Sequence, residues 1–237
     1  MKTFLSAITS FLLCSIVLLT AGIPEAAAFT VSAAAVPAGI MFIQSMTPDV
    51  LFVIPFSNFT GPAPGKKNMG GTKTTVYYAL KDDFDLAAGG LKDLPAAPTS
   101  FSEYVTISDT HVFLAGKGFH SLEITLDKGQ VKDDIQGDYD GWSFKNIFTG
   151  FYPGSEAEFA GFMSDFMNCR SIWLVPLADI PTANIRQIGD INFYAQVKPS
   201  YDTLTNSKGA RGFPFTVETF NPVMLYYTGA IDLISTS

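Results

Sequence analysis

Short runs of β-branched and aromatic residues, separated by Gly, Pro, Asp and Asn, dominate the chain from residue 38 onward. This pattern is typical of β-strands joined by turns. It predicts strands at 38–44, 50–56, 74–80, 102–107, 111–114, 120–126, 171–177, 191–197, 213–219 and 223–231. Many short strands without alternating long helices favour an antiparallel β-sandwich or jelly roll over a parallel sheet.

The clearest local unit is a hairpin centred on residues 116–118, which read Gly-Lys-Gly. A symmetric fold about this turn places His111 opposite Glu123 and Leu114 opposite His120. Because side chains alternate between the faces of a strand, His120 falls on the apolar face, where we expect a hydrogen-bonded core histidine. We expect His111 and Glu123 to form a surface ion pair.

One amphipathic helix is predicted over about residues 156–168. Ser155 and Glu158 have the spacing of a capping box, in which each side chain bonds the other residue's backbone N–H. The apolar residues that follow recur at helical spacing and form one stripe, namely Phe159, Phe162, Met163, Phe166 and Met167. We expect this helix to cover one end or one face of the sandwich.

The first 28 residues have the pattern of a cleavable secretory signal peptide. Lys2 supplies the positive start, residues 4–21 are apolar and uncharged, and Ala26–Ala28 offer a small-residue cleavage site. A retained membrane anchor is the alternative, but the apolar run falls slightly short of the roughly 20 residues that a spanning helix needs. The sequence therefore predicts a secreted or periplasmic protein that begins near Phe29, with no stable membrane span after cleavage.

The segment from residue 29 to residue 237 is predicted to form a single β-sandwich-like domain, the alternative being two small β domains split near 129–141. Signal cleavage leaves Cys169 as the single cysteine, so an intramolecular disulfide is excluded. Small exported domains often depend on disulfides for stability. With 21 Phe and 9 Tyr, the chain has the residues for a core that is stable without one.

An acidic cluster over residues 133–142 is the first candidate for chemistry. Oxygen ligands and glycines in this arrangement can surround a hard cation such as Ca²⁺. The predicted ligands are Asp134, Asp138 and Asp140. The spacing does not match an EF-hand, and a solvated acidic loop is the alternative, since charge runs usually have that role.

Aromatic residues in and after this cluster are the second candidate. Tyr139, Trp142 and Tyr152 are the predicted ligand-binding residues. The apolar face of a sugar ring stacks on an aromatic ring, while neighbouring carboxylates accept hydrogen bonds from its hydroxyl groups. The alternative is that these rings pack in the core, which is the ordinary place for aromatic side chains.

No motif for nucleophilic catalysis or phosphate binding occurs in the sequence: it lacks G-x-S-x-G and the P-loop spacing. A net charge of −7 disfavours nucleic acid as a partner. The sequence therefore favours an exported, non-catalytic binding protein that recognises a protein surface or a glycan. A secreted carboxylate-dependent hydrolase acting on carbohydrate is the first alternative, and a structural or assembly subunit is the second.

Overall fold

The computed structural model of the chain describes residues 58, 59, 61, 69–179, 183–205 and 209–234. The predicted signal peptide over 1–28 and the predicted strands at 38–44 and 50–56 lie outside these residues. The predicted single domain begins outside them as well, and it stays a prediction. No helix in the described part of the chain is long and apolar enough to cross a membrane.

The described residues form ten strands and one α-helix, which confirms the mainly β fold that the hydrophobic pattern predicts. In chain order the elements are β1 (Thr75–Leu80), β2 (Thr106–Ile107), β3 (His120–Glu123), β4 (Gln130–Gln136), β5 (Ser143–Pro153), α1 (Ala157–Phe166), β6 (Ser171–Pro176), β7 (Ile185–Ile188), β8 (Gln196–Pro199), β9 (Gly212–Asn221) and β10 (Tyr226–Tyr227). Two single-turn 3₁₀ helices follow β1, at Lys81–Asp83 and Leu86–Ala88.

The strands belong to two sheets. The first sheet has six strands in the order β2-β10-β7-β6-β1-β3, and the second has four in the order β4-β5-β9-β8. Neighbouring strands are antiparallel except for the short pair β10–β2. Two antiparallel-rich sheets with a single helix are the predicted β-sandwich class.

The main hydrophobic core combines side chains from both sheets with three from the helix. The first sheet contributes Val76, Leu122, Trp173, Val175 and Ile188, and the second contributes Phe148, Val197, Phe213, Phe215 and Val217. The helix adds Phe159, Met163 and Phe166. The apolar stripe predicted for the helix therefore has the predicted role of packing against the sandwich.

A second core lies on the opposite face of the first sheet. Ile172 and Leu174 alternate with Trp173 along β6, so they point to this other face. They pack there with Phe84, Phe119 and further apolar residues of the connecting segments. All six residues of β6 are buried, which explains its continuous apolar run.

The predicted hairpin about residues 116–118 is wrong. β3 pairs with β1, so that His120 lies opposite Tyr78 and Glu123 opposite Thr75. A turn does exist at the predicted place, since the N–H of Lys117 donates to the carbonyl of Leu114 at 2.9 Å. The chain entering that turn makes only an isolated bridge, from Phe113 to Phe84.

Other differences concern strand bounds. The strands predicted at 102–107 and 223–231 shrink to two residues each, and the strand predicted at 191–197 begins only at residue 196. β4, β5 and β7 are strands that the pattern missed. The segment 129–141, which is the alternative domain boundary, contains β4 and most of the turn that follows it.

The helix is confirmed, but its predicted capping box is not formed. Glu156 occupies the N-cap position with an extended backbone and no side-chain capping bond, so the helix begins one residue later than predicted. Phe159, Met163 and Phe166 are buried, whereas Met167 lies just past the last turn and is exposed.

Candidate functional site

The turn between β4 and β5 carries two exposed aromatic residues, Tyr139 and Trp142. Residues 135–142 are all exposed to solvent. Gly137 and Asp140 adopt positive φ angles of 103° and 68°, which reverse the chain within a few residues. The N–H of Gly141 donates to the carbonyl of Asp138 at 3.0 Å. We call residues 137–142 the aromatic turn.

Two of the three predicted ligand-binding residues lie together in the aromatic turn. The side chain of Tyr139 is 86% exposed and that of Trp142 is 59% exposed. Large aromatic side chains are usually well buried, so two exposed ones in a single turn are unusual. Tyr and Trp are also the residues that most often dominate binding energy at interfaces.

Tyr152, the third predicted ligand-binding residue, lies elsewhere. It is near the opposite end of β5, about 30 Å from Trp142 along the strand. Its ring stacks on Phe159 of α1, with centroids 3.7 Å apart, and Phe159 in turn packs edge-on against Phe213. Tyr152 therefore packs with the main core, and the structure does not bring it together with the aromatic turn.

The three predicted Ca²⁺ ligands do not converge. Asp134 lies on β4, where its Oδ1 is 2.8 Å from Nζ of Lys132, while Asp138 and Asp140 belong to the aromatic turn. Across the residues that the structure describes, no three His, Cys, Asp or Glu side chains are grouped so that they could hold a metal ion. The Ca²⁺ site stays a prediction, without a geometric feature to support it.

Asp133 belongs to a polar cluster between the two sheets. We define this inter-sheet polar cluster as Asp133, Asn146, Arg186, Asp190, Thr219 and Asn221. Nη2 of Arg186 lies 2.8 Å from Oδ2 of Asp133, and the two side chains are only 7% and 9% exposed. The amide of Asn146 donates to the other oxygen of Asp133. Both oxygens of this carboxylate are therefore engaged.

The guanidinium of Arg186 has further partners in the first sheet. Its Nε donates to the carbonyl of Leu225 at 3.0 Å, and its Cζ lies 4.7 Å from the ring centroid of Tyr226. A buried arginine needs such a set of partners, because an uncompensated buried charge is strongly destabilising. This arrangement indicates a structural role for Arg186.

Asp190 occupies the end of the same cluster. Burial raises the pKa of its carboxyl group, and hydrogen bonds from the backbone N–H groups of Phe193 and Asn192 to Oδ1 act in the opposite direction. When the side-chain amide of Asn221 is oriented so that both its oxygen and its nitrogen have partners, the nitrogen donates to Oδ2 of Asp190 at 2.9 Å. Each oxygen of Asp190 thus has a donor within the protein.

A second polar group is buried beside the second core. Nδ1 of His111 accepts from the N–H of Lys92 at 3.0 Å, so Nε2 carries the proton and donates to Oε1 of Gln187, also at 3.0 Å. The ring stacks on Tyr227 with centroids 4.8 Å apart. The predicted surface ion pair with Glu123 is therefore wrong, because the long-range pairing of β1 with β3 leaves His111 free to enter the interior.

An open groove of about 460 Å³ lies between α1 and the end of β8. Its lining contains no charged residue and comprises Ser155, Ala160, Met163, Ser164, Met167, Pro199, Ser200, Tyr201 and Phe213. The hydroxyls of Ser164 and Ser200 donate to backbone carbonyls at 2.7 and 3.0 Å. The groove consequently offers a ligand mainly apolar contacts.

Comparison of the chain with known protein families, with curated proteins and with solved structures gives no match. Among the surfaces described above, only the aromatic turn combines exposed aromatic rings with carboxylates.

Proposed function

We propose that the chain is an exported, non-catalytic binding protein that recognises a glycan through the aromatic turn. The observation that carries this proposal is the exposure of Tyr139 and Trp142 within one turn at the end of the second sheet. Both rings stand on a hairpin whose strands are paired along the whole of β4, so the recognition element sits on a rigid support.

The chemistry of the aromatic turn suits a sugar. Tyr139 lies between Asp138 and Asp140 in sequence, and Trp142 follows two residues later. An aromatic ring offers an apolar face for the C–H face of a sugar ring, and carboxylates are acceptors for its hydroxyl groups. Because the chain has a net charge of −7, a neutral glycan is favoured over an anionic one.

The engagement of the buried carboxylates supports binding over hydrolysis. A glycosidase needs two carboxyl groups that face the same bond, one of them protonated and free to donate to the leaving group. Burial raises the pKa of Asp190, but both oxygens of Asp190 accept hydrogen bonds within the protein, and Asp133 is held by an ion pair with Arg186 and a hydrogen bond from Asn146. The carboxylates of the aromatic turn are exposed to solvent, where they are available to a ligand.

The test is retention of the purified mature chain on a panel of immobilised neutral polysaccharides. We expect Trp142→Ala to weaken binding by at least about tenfold, because truncating a central aromatic residue is typically among the costliest changes in a binding site. Tyr104→Ala is the matched control, since Tyr104 is 50% exposed and lies outside the aromatic turn. This control should bind as the wild type does.

The other outcomes separate the alternatives. Release of reducing sugar above the level of a mock purification would replace the proposal with carbohydrate hydrolysis. Failure to bind any polysaccharide, together with a protein partner whose capture depends on Trp142, would favour recognition of a protein surface. Because Trp142 is exposed, the Ala variant should melt at the wild-type temperature.

A further inference from the structure

Within the described part of the chain, β4 is an edge strand with one unpaired side. It forms one edge of the second sheet and pairs only with β5 among the described residues. Alternate residues of such an edge direct their N–H and C=O groups away from the sheet, where they can pair with another strand. An edge of seven residues is long for a strand left open in this way.

The sequence of β4, Gln-Val-Lys-Asp-Asp-Ile-Gln, is complementary to itself when read in the opposite direction. We propose that β4 pairs antiparallel with β4 of a second copy, with Asp133 at the centre, and that the chain is a homodimer. In this register Lys132 lies opposite Asp134 of the second copy. The flanking pairs are Val131 with Ile135 and Gln130 with Gln136.

The two faces of β4 suit this pairing, because directly opposed residues lie on the same face. Lys132 and Asp134 share one face and already contact each other within the chain at 2.8 Å, with much of both side chains in solvent. The dimer places two lysines and two aspartates in one ladder of alternating charge. On the other face, Ile135 is 65% exposed, and Val131 of the second copy would cover it.

The central pair is the one place where like charges meet. Asp133 faces Asp133 of the second copy, which would ordinarily disfavour the pairing. Each of these carboxylates is already paired with Arg186 of its own chain and accepts a hydrogen bond from Asn146. The charge at the centre is therefore compensated before the two copies meet.

Other registers lose this complementarity. A slip of one residue in one direction places Asp133 opposite Asp134. In the other direction it keeps Lys132 opposite an aspartate, Asp133, but places Val131 opposite Asp134 and Gln130 opposite Ile135. A parallel, in-register pair places Lys132 opposite Lys132 of the second copy. Charged residues on an edge strand discourage pairing with unrelated strands, and in β4 the same charges select a single partner and a single register.

The dimer also extends the proposed function, although the proposal of a dimer does not depend on glycan binding. Each aromatic turn follows the C-terminal end of β4, so the two turns would lie at opposite ends of the paired strands, about 23 Å apart. Two linked sites increase the apparent affinity for a repetitive glycan, because the second binding event is intramolecular.

The test is sedimentation equilibrium of the mature chain over a wide concentration range. The wild type should form a dimer. Lys132→Asp and Asp134→Lys should each weaken dimerisation by about tenfold or more, since each change creates two like-charge contacts across the two-fold axis. An equimolar mixture of these two variants should form a heterodimer, because at both positions an aspartate of one variant then lies opposite a lysine of the other.

Recovery in the mixture excludes misfolding as the cause of the loss in each variant alone. Lys128→Asp is the matched control: it makes the same charge change outside β4 and should dimerise as the wild type does. A wild-type chain that stays monomeric would overturn the proposal. This includes the case in which another segment of the same chain covers this edge. So would a dimer that survives both single variants. Glycan binding by a monomeric variant tests the aromatic turn separately.

Discussion

Arg186 of β7 and Asp133 of β4 form a buried ion pair that joins the two sheets, with 2.8 Å between Nη2 and Oδ2. Ile188 lies two residues beyond Arg186 and contributes to the main core, so both side chains point toward the second sheet. The ion pair therefore lies in the same interface between the sheets as the main core, in the part that polar residues occupy.

We expect Arg186→Met to lower the free energy of unfolding by about 3–5 kcal/mol, because it leaves the buried carboxylate of Asp133 without its counter-charge. Asp133→Leu should lower the free energy of unfolding by a similar amount, because it leaves the buried guanidinium of Arg186 without its counter-charge. The double variant should lose much less stability than the two single variants added together, since it leaves no buried charge unpaired. Urea unfolding followed by circular dichroism measures all three.

Lys198→Met is the control for this cycle. Lys198 is largely exposed, and its partner Glu218 keeps a second ion pair with Lys145 at 2.7 Å. Loss of the Lys198 ammonium group should change the free energy of unfolding by no more than about 0.5 kcal/mol. Additive effects of Arg186→Met and Asp133→Leu would contradict the ion pair as the contact that couples the sheets.

A second prediction concerns two glycines in opposite environments. A methyl group at Gly150 would lie 2.5 Å from Cζ of Phe215 in the main core, so Gly150→Ala should destabilise the fold by about 1–3 kcal/mol. Gly161, within α1, has no neighbour within 4 Å of such a methyl group. Gly161→Ala should stabilise the fold by about 0.5–1 kcal/mol. Thermal melts of the two variants should move in opposite directions.

The helix and the central strands could be predicted from the sequence because their signals are local. The apolar stripe of α1 needs only its own residues, and the uninterrupted apolar run of β6 indicates a strand whatever its neighbours are. β4 has no comparable signal. Its residues are mostly polar, because much of one face is exposed, and its sequence is typical of an acidic loop.

The pairing of distant segments could not be predicted from the sequence. The Gly-Lys-Gly turn at 116–118 indicates a hairpin locally, but β3 gains more by pairing with β1, whose apolar side chains share its face of the core. His111 lies in the interior as a result. The acidic residues and glycines near Tyr139 and Trp142 are neighbours in the sequence, so this segment could be recognised without knowing the fold. In the structure the two rings are exposed in the turn that these residues form.

A third prediction uses the two tryptophans of the chain as probes. Trp142 is exposed in the aromatic turn, whereas Trp173 is fully buried and its Nε1 donates to Oγ of Ser171 at 3.0 Å. Acrylamide should therefore quench the wild-type fluorescence in part. In the variant Trp142→Phe, quenching should nearly vanish, because acrylamide does not reach the core.

A bound polysaccharide should protect the quenchable fraction in the wild type, and Tyr104→Ala should behave in the same way. Strong quenching that remains in Trp142→Phe would mean that Trp173 is accessible, against its position between the sheets.

The last prediction concerns His111 and acid. Burial lowers the pKa of His111 below its ordinary value of about 6.5; the hydrogen bond to Gln187 opposes this effect and the charge of Lys92 adds to it. Protonation would place an N–H on both ring nitrogens, and Nδ1 would then face the N–H of Lys92, donor against donor. The folded chain therefore resists the proton that the unfolded chain accepts.

The sign of the pH dependence follows from that difference. Above about pH 6.5 the histidine is neutral in both states and has no effect; below it, the unfolded state binds more protons, and stability falls by up to about 1.4 kcal/mol per pH unit. Urea unfolding between pH 7.5 and about pH 5, above the range where ordinary carboxyl groups titrate, measures this slope; Asp190, whose pKa is raised by burial, acts with the opposite sign. His111→Leu should abolish the slope, whatever its stability at neutral pH, while His120→Gln should keep it. An unchanged slope in His111→Leu would assign the acid sensitivity to another group.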